Sequence, residues 1–138
     1  MMQGYNLIAV FSPDCSRLLM CRRRKEPYLG LSNLVGGKIE PGEPGLDAAY
    51  RELWEETSIR REKIPLMHLM DFHYPLDDCW VEVYVGRLKE QTAVSGEENE
   101  LYWSSLDRNF FDSSCYAGEG NLGHILEHIA LKRELLLR

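Results

Sequence analysis

The order of apolar and polar segments in this 138-residue chain predicts an α+β fold, a mixed β-sheet sandwiched between α-helices. Two observations lead there. Short runs rich in β-branched and aromatic residues dominate the chain, and two longer segments of helical spacing interrupt them. A third sets the scale: 44% of the residues are hydrophobic, enough for one sizeable core, and the length suits one domain over residues 1–138.

The first run, Asn6 to Phe11, reads as a strand, and Ser12-Pro13-Asp14 turns the chain. Leu18 to Cys21 then pairs back as a hairpin. A basic loop runs from Arg22 to Gly30, and Leu34-Val35 leads into Gly36-Gly37, Ile39 and the turn Pro41-Gly42. Pro44 suits the first turn of a helix, where its missing N–H costs nothing. Leu46, Ala49, Leu53 and Thr57 then repeat at helical spacing as one buried stripe, and the helix should end near Thr57 or Ser58. Leu66 to Tyr74, Trp80 to Leu88 and the short Leu101 to Trp103 read as strands. Asn121 to the C-terminus reads as a second helix, with Ile125, Ile129 and Leu136 at its apolar positions.

The formal net charge of −6 argues against non-specific nucleic-acid binding, since an acidic surface gains little from a phosphate backbone. A small anionic substrate remains compatible where a metal supplies positive charge locally. Cys15, Cys21, Cys79 and Cys115 form no CxxC pair, so free thiols are expected rather than a zinc site. The opening through Ser12 lacks a basic start and a cleavage site, and no apolar run reaches the roughly 18 residues that span a bilayer. The expectation is a cytoplasmic protein, monomer or homodimer, with no membrane partner.

Chemistry concentrates between Gly36 and Ile59. Glu52, Glu55 and Glu56 stand at i, i+3 and i+4, which puts three carboxylates on one helix face. Alone, such a cluster is an ordinary solvated surface. Here Gly36-Gly37 precedes the helix and lets backbone approach a phosphate or ion closely. Glu43 sits at the helix entrance, and Arg51 lies four residues before Glu55, where it can pair with it. Hard oxygen donors of this kind suit Mg²⁺ or Mn²⁺, which shares its remaining positions with waters and substrate phosphates.

Gly37, Glu43, Arg51, Glu52, Leu53, Glu55, Glu56 and Ile59 fall on the signature of the Nudix hydrolases without insertion, and the chain resembles that family. One position departs: Ser58 replaces the glycine that ends the signature helix in a left-handed conformation, at a cost of roughly 1 kcal/mol. The resemblance implies the Nudix fold, with the signature forming loop, helix and loop. It implies Mg²⁺ or Mn²⁺ held by Glu52, Glu55 and Glu56, with a backbone carbonyl of Gly36 or Gly37. It also implies hydrolysis of a pyrophosphate link by a metal-activated water. The general base in the family is either a signature glutamate, which points to Glu55, or one from a later loop. In the loop Ser95 to Glu100, Glu98 is the first choice as base or additional ligand, with a solvated loop charge as the plain alternative.

The substrate is less legible. Arg22 and Arg24, in the run Arg22 to Lys25, and Lys38 are candidates for phosphate contact, although a solvated loop explains the run equally well. Asn33 in Leu31-Ser32-Asn33-Leu34-Val35-Gly36-Gly37-Lys38 resembles the asparagine with which MutT-like enzymes read oxidised purine nucleoside triphosphates, but Ser32 stands where those carry tryptophan. Family members acting on ADP-ribose or dinucleoside polyphosphates often carry tyrosine or proline near the positions of Tyr74 and Pro75; with both present, neither decides. Phe72, Tyr74, Trp80 and Tyr84 suit core packing more than base stacking. A catalytically silent nucleotide-binding module is the competing class. Such modules commonly lose signature glutamates, and here all are intact.

Overall fold

A computed structural model describes residues 2–138; Met1, where the expected domain starts, lies outside the described residues. The strands are β1 (Gln3–Phe11), β2 (Arg17–Arg22), β3 (Ser32–Asn33), β4 (Met67–Tyr74), β5 (Cys79–Arg87) and β6 (Glu100–Ser105). The helices are α1 (Gly45–Thr57), α2 (Asn121–Leu131) and α3 (Arg133–Leu136). The sheet runs β3-β2-β1-β5-β4, with β6 also on β2. It is mixed as predicted: β1 and β5 pair in parallel from Gln3↔Cys79 to Phe11↔Arg87, while β4–β5 and β2–β6 are antiparallel.

Alternation along β1 and β5 divides the core into two layers. Ile8, Val10 and Tyr84 face α1 and pack with Ala49 and Leu53. Ala9, Val83 and Val85 face α2 and pack with Leu122, Ile125 and Ile129. Most of these side chains are fully buried, which at roughly 25 cal/mol per Å² of apolar surface makes them the main favourable term holding α1 and α2 to the sheet. Among the described residues no helix is long and apolar enough to cross a membrane. The four cysteines are free.

Four expectations need correction. The β1–β2 hairpin pairs only at its closed end, Phe11↔Leu18. β2 pairs along its whole length with β6, from Arg17↔Ser105 to Arg22↔Glu100, and beyond the closed end β1 takes up the segment after β3 instead, through Ile8 N–H to Val35 O (2.8 Å) and Ile39 N–H to Gly4 O (2.9 Å). Leu46 is 38% exposed and lies off the buried stripe, because Ala48, Ala49, Glu52, Leu53 and Thr57 form the face turned inward. Pro44 precedes the helix in extended conformation, φ −60° and ψ 140°, and its carbonyl accepts the first helical bond from Ala48 N–H. The C-terminal helix breaks at Lys132 (φ −116°, ψ 20°), and the separate turn α3 brings Leu136 and Leu137 back onto the core. Tyr74 and Pro75 are the end of β4 and the start of a tight 3-10 turn over Pro75–Asp77.

Candidate active site

The site forms where the segment after β3 meets the middle of α1. The segment is stitched to β1: Asn6 N–H donates to Gly37 O at 2.8 Å, and Gly37 N–H donates to Asn6 Oδ1 at 3.0 Å. The Gly37 carbonyl therefore already accepts one bond, with its second lone pair left over. A Cβ on Gly37 would sit 2.2 Å from Glu52 Oε2, so only glycine lets backbone and carboxylate touch here.

Arg51 organises the acidic groups. Its Nε and Nη2 donate to the two Glu43 oxygens at 2.8 and 2.9 Å, a bidentate pair. Nη1 donates to Glu52 Oε1 (2.9 Å) and Glu55 Oε2 (3.2 Å), and Nη2 also reaches Lys38 O (2.9 Å). One guanidinium thus ties the loop to the helix. The Arg51 hydrogen bonds hold Glu43 below the usual carboxylate range, and Glu43 in turn does most to raise Arg51. Glu52 is only 8% exposed, and its burial pushes its pKa up more than Arg51 pulls it down. Glu55 is the open member, with a half-exposed side chain.

Glu56 meets Glu98. Burial, and then a hydrogen bond between the two carboxyls, push Glu56 up to about 8. The loop between β5 and β6 therefore delivers Glu98 to the helix, 42 positions from Glu56 in sequence. The loop is held to the end of α1 by Ser95 N–H to Thr57 O (2.9 Å) and by Ser58 Oγ to Ser95 O (3.0 Å). Ser58 adopts the left-handed conformation expected of the missing glycine, φ 67° and ψ 14°, with its N–H on Trp54 O. Its hydroxyl bond offsets part of that strain.

Among the described residues, no three Asp, Glu, His or Cys side chains converge closely enough to hold an ion in this arrangement. Glu52 and Glu55 are turned onto Arg51, and Glu56 faces Glu98, which helps to raise it. The donor set is all hard oxygen, three of its members are electrostatically coupled (Glu52, Glu56 and Glu98), and glycine backbone touches one of them. That chemistry fits Mg²⁺ or Mn²⁺.

The basic residues divide. Arg22 pairs with Glu100 at 3.3 Å and lies over the Tyr102 ring. Arg24 is tied to the Glu98 loop, Nη1 to Glu97 O at 3.1 Å. Arg23, between them, is the arginine whose charge reaches Glu56; nothing in the sequence ranked it above its neighbours. Lys38 has an exposed side chain beside the loop. Asn33 lies half-buried on β3, and its Oδ1 accepts from Leu34 N–H at 2.8 Å. Tyr84, Phe72 and Trp80 are engaged in packing or with Glu82, in keeping with the packing expectation.

The chain is similar to several known proteins. Over 112 residues the chain is 27% identical to the NAD-capped RNA hydrolase NPY1 of Saccharomyces cerevisiae, covering 78% of this chain and 28% of that protein. The chain thus spans under a third of the length of that curated relative. Among solved structures, an Ap4A hydrolase binary complex from C. elegans superposes with a TM-score of 0.77 at 17% identity, covering 96% of this chain and 98% of the other. A MutT structure from a study of the Aliivibrio salmonicida and Vibrio cholerae proteins gives 0.71 at 20% identity, covering 95% and 99%. At such identities the superpositions establish the fold. Residues 3–117 match the model of the NUDIX domain, a span that contains the glycine turn, α1 and the Glu98 loop, and the chain belongs to that family.

Proposed function

We propose that this chain hydrolyses a pyrophosphate bond in a nucleoside diphosphate-linked substrate, with a purine nucleoside triphosphate, oxidised or not, as the preferred class and nucleoside monophosphate plus pyrophosphate as products. The observation that carries this is that Glu52 lies against the Gly37 backbone and is electrostatically coupled to Glu56 and Glu98, with Arg51 fixing the helix side. Glu52, Glu55, Glu56 and Glu98, with the carbonyl of Gly37, are the groups that would hold Mg²⁺ or Mn²⁺. When bound, the ion neutralises phosphate charge and makes water a better nucleophile.

The chain's own groups do the rest. Glu98 takes the proton as a water oxygen bonds to phosphorus, the bridging P–O bond breaks, and its electron pair leaves on pyrophosphate. Glu55, open to solvent, is the alternative base. Arg51 keeps Glu43, Glu52 and Glu55 in place and so acts as a positioning residue. Arg24, Arg22 and Lys38 supply positive charge around the loops, where phosphates would approach. Asn33 offers its Nδ2 hydrogens to a base edge.

One observation favours a second reading, ADP-ribose or a dinucleoside polyphosphate. The Asn33 oxygen already accepts from Leu34 N–H, which leaves it a single lone pair for a base edge. The name of the C. elegans neighbour, an Ap4A hydrolase, is compatible with it. The deciding experiment is a substrate panel with Mg²⁺, reading released phosphate, pyrophosphate and mononucleotide. Full activity in excess chelator would overturn the reading altogether.

A further inference from the structure

Among the residues of β1, Asn6 is the polar one turned from the strand's centre toward the α1 layer, where Ile8 and Val10 follow it into the core. It is 1% exposed. Three of its groups meet the glycine turn. Its N–H donates to Gly37 O (2.8 Å), its Oδ1 accepts from Gly37 N–H (3.0 Å), and its own carbonyl lies so close to Gly36 that a Cβ there would fall 2.1 Å from it. On its other side Gly37 is in contact with Glu52. Asn6, Gly37 and Glu52 are thus one contiguous stack from the sheet to the signature helix.

The remaining group of Asn6 is informative. Its Nδ2 is buried and has no hydrogen-bond partner. Buried unpaired donors are unfavourable, and a leucine of similar size would fill the space without one. An amide kept at this position despite its orphan donor is explained by what the other end does: Oδ1 pins Gly37 N–H. Backbone pairing alone would leave that N–H unmet inside a half-buried turn, free to rotate away from Glu52.

We propose that Asn6 is a positioning residue for the reaction, holding the Gly36-Gly37 backbone in register with Glu52 so that carbonyl and carboxylate face one cation. The inference rests on the metal reading above, and its test separates the two. Mn²⁺ binding is measured on the full chain without substrate, by the loss of the free-ion EPR signal, and exchange of the Gly37 amide is followed by NMR. Asn6→Leu removes the acceptor together with the orphan donor. It is expected to keep the melting temperature, to speed Gly37 exchange, and to weaken Mn²⁺ about tenfold, the scale of one lost hydrogen bond. Its kcat should fall with KM unchanged and recover at saturating Mn²⁺. Asn6→Asp, which keeps the acceptor oxygen, should restore both exchange and affinity. Wild-type Mn²⁺ affinity together with wild-type Gly37 exchange in Asn6→Leu would overturn the proposal. If Asn6→Leu does not fold, Asn6→Ser, too short to reach Gly37, is judged by the same two readouts. A Glu56→Gln chain that binds Mn²⁺ like wild type would instead sink the metal reading, while Gly37 exchange would still decide whether Asn6 holds the turn.

Discussion

Gly37→Ala tests the contact between loop and helix with a single methyl group. The added Cβ would meet Glu52 Oε2 at 2.2 Å, Cδ at 2.4 Å and Oε1 at 2.8 Å. Since comfortable contact begins near 3.5 Å, one partner must retreat by about 1 Å. The loop is stitched to Asn6 in both directions, and α1 is anchored by the fully buried Ala49 and Leu53. The carboxylate is the part that gives, and it leaves Arg51 Nη1, now 2.9 Å away. A displacement of about 1 Å at a reacting centre costs on the order of 100-fold in rate, or about 2.7 kcal/mol of barrier. Gly37 lies outside the left-handed region, so alanine is tolerated by the backbone and the melting temperature should drop by only about 4 °C. Gly42→Ala is the control. Nothing lies within 4 Å of its Cβ, and its φ of 77° strains any other residue, so it should lower stability without touching kcat. Steady-state kinetics, Mn²⁺ affinity and thermal melts on both variants decide the matter. Wild-type turnover in Gly37→Ala, or an equal loss of kcat in Gly42→Ala, would refute the reasoning.

Glu56→Gln keeps the side chain's shape and removes its charge, and kcat should fall at least ~100-fold with folding preserved; near wild-type turnover would return Glu56 to a solvated face. In the metal-free protein Glu56 titrates near 8 rather than its ordinary 4.5, so the folded state binds more protons than the unfolded state between those values. Metal-free stability should therefore decline as pH rises through that window, and the decline should vanish in Glu56→Gln; equal slopes in the two proteins would contradict the raised Glu56. Glu98→Gln should depress kcat and leave the melting temperature nearly unchanged, and unchanged kinetics would pass the base role to Glu55. Asn33→Ala should raise KM for purine nucleotides more than for pyrimidine nucleotides; an equal rise would remove the base-reading role and favour ADP-ribose and dinucleoside polyphosphates.

Much of this site was legible because its logic is local. The i, i+3, i+4 spacing of Glu52, Glu55 and Glu56 puts them on one face wherever that helix sits, and Arg51 to Glu55 is a contact within one turn. The structure adds what only tertiary pairing decides. Asn6 reads as an ordinary strand residue until β1 abandons β2 after Phe11↔Leu18 and takes Gly37 as its neighbour. Glu52 reads as a surface charge on a helical wheel until the inward face is seen to include it and to exclude Leu46. Glu98 could be nominated from its loop, but its meeting with Glu56 depends on Ser95 closing onto Thr57. The substrate stays least legible for the same reason. The signature is one local stretch, while other loops meet only through contacts far apart in sequence, such as the one where Tyr28 OH donates to Glu119 Oε1 at 2.8 Å, 91 positions away. A local motif can specify a bond to be broken; the identity of the group attached to it is written in contacts of that long-range kind, and those vary with loop sequence while α1 and the glycine turn stay as they are.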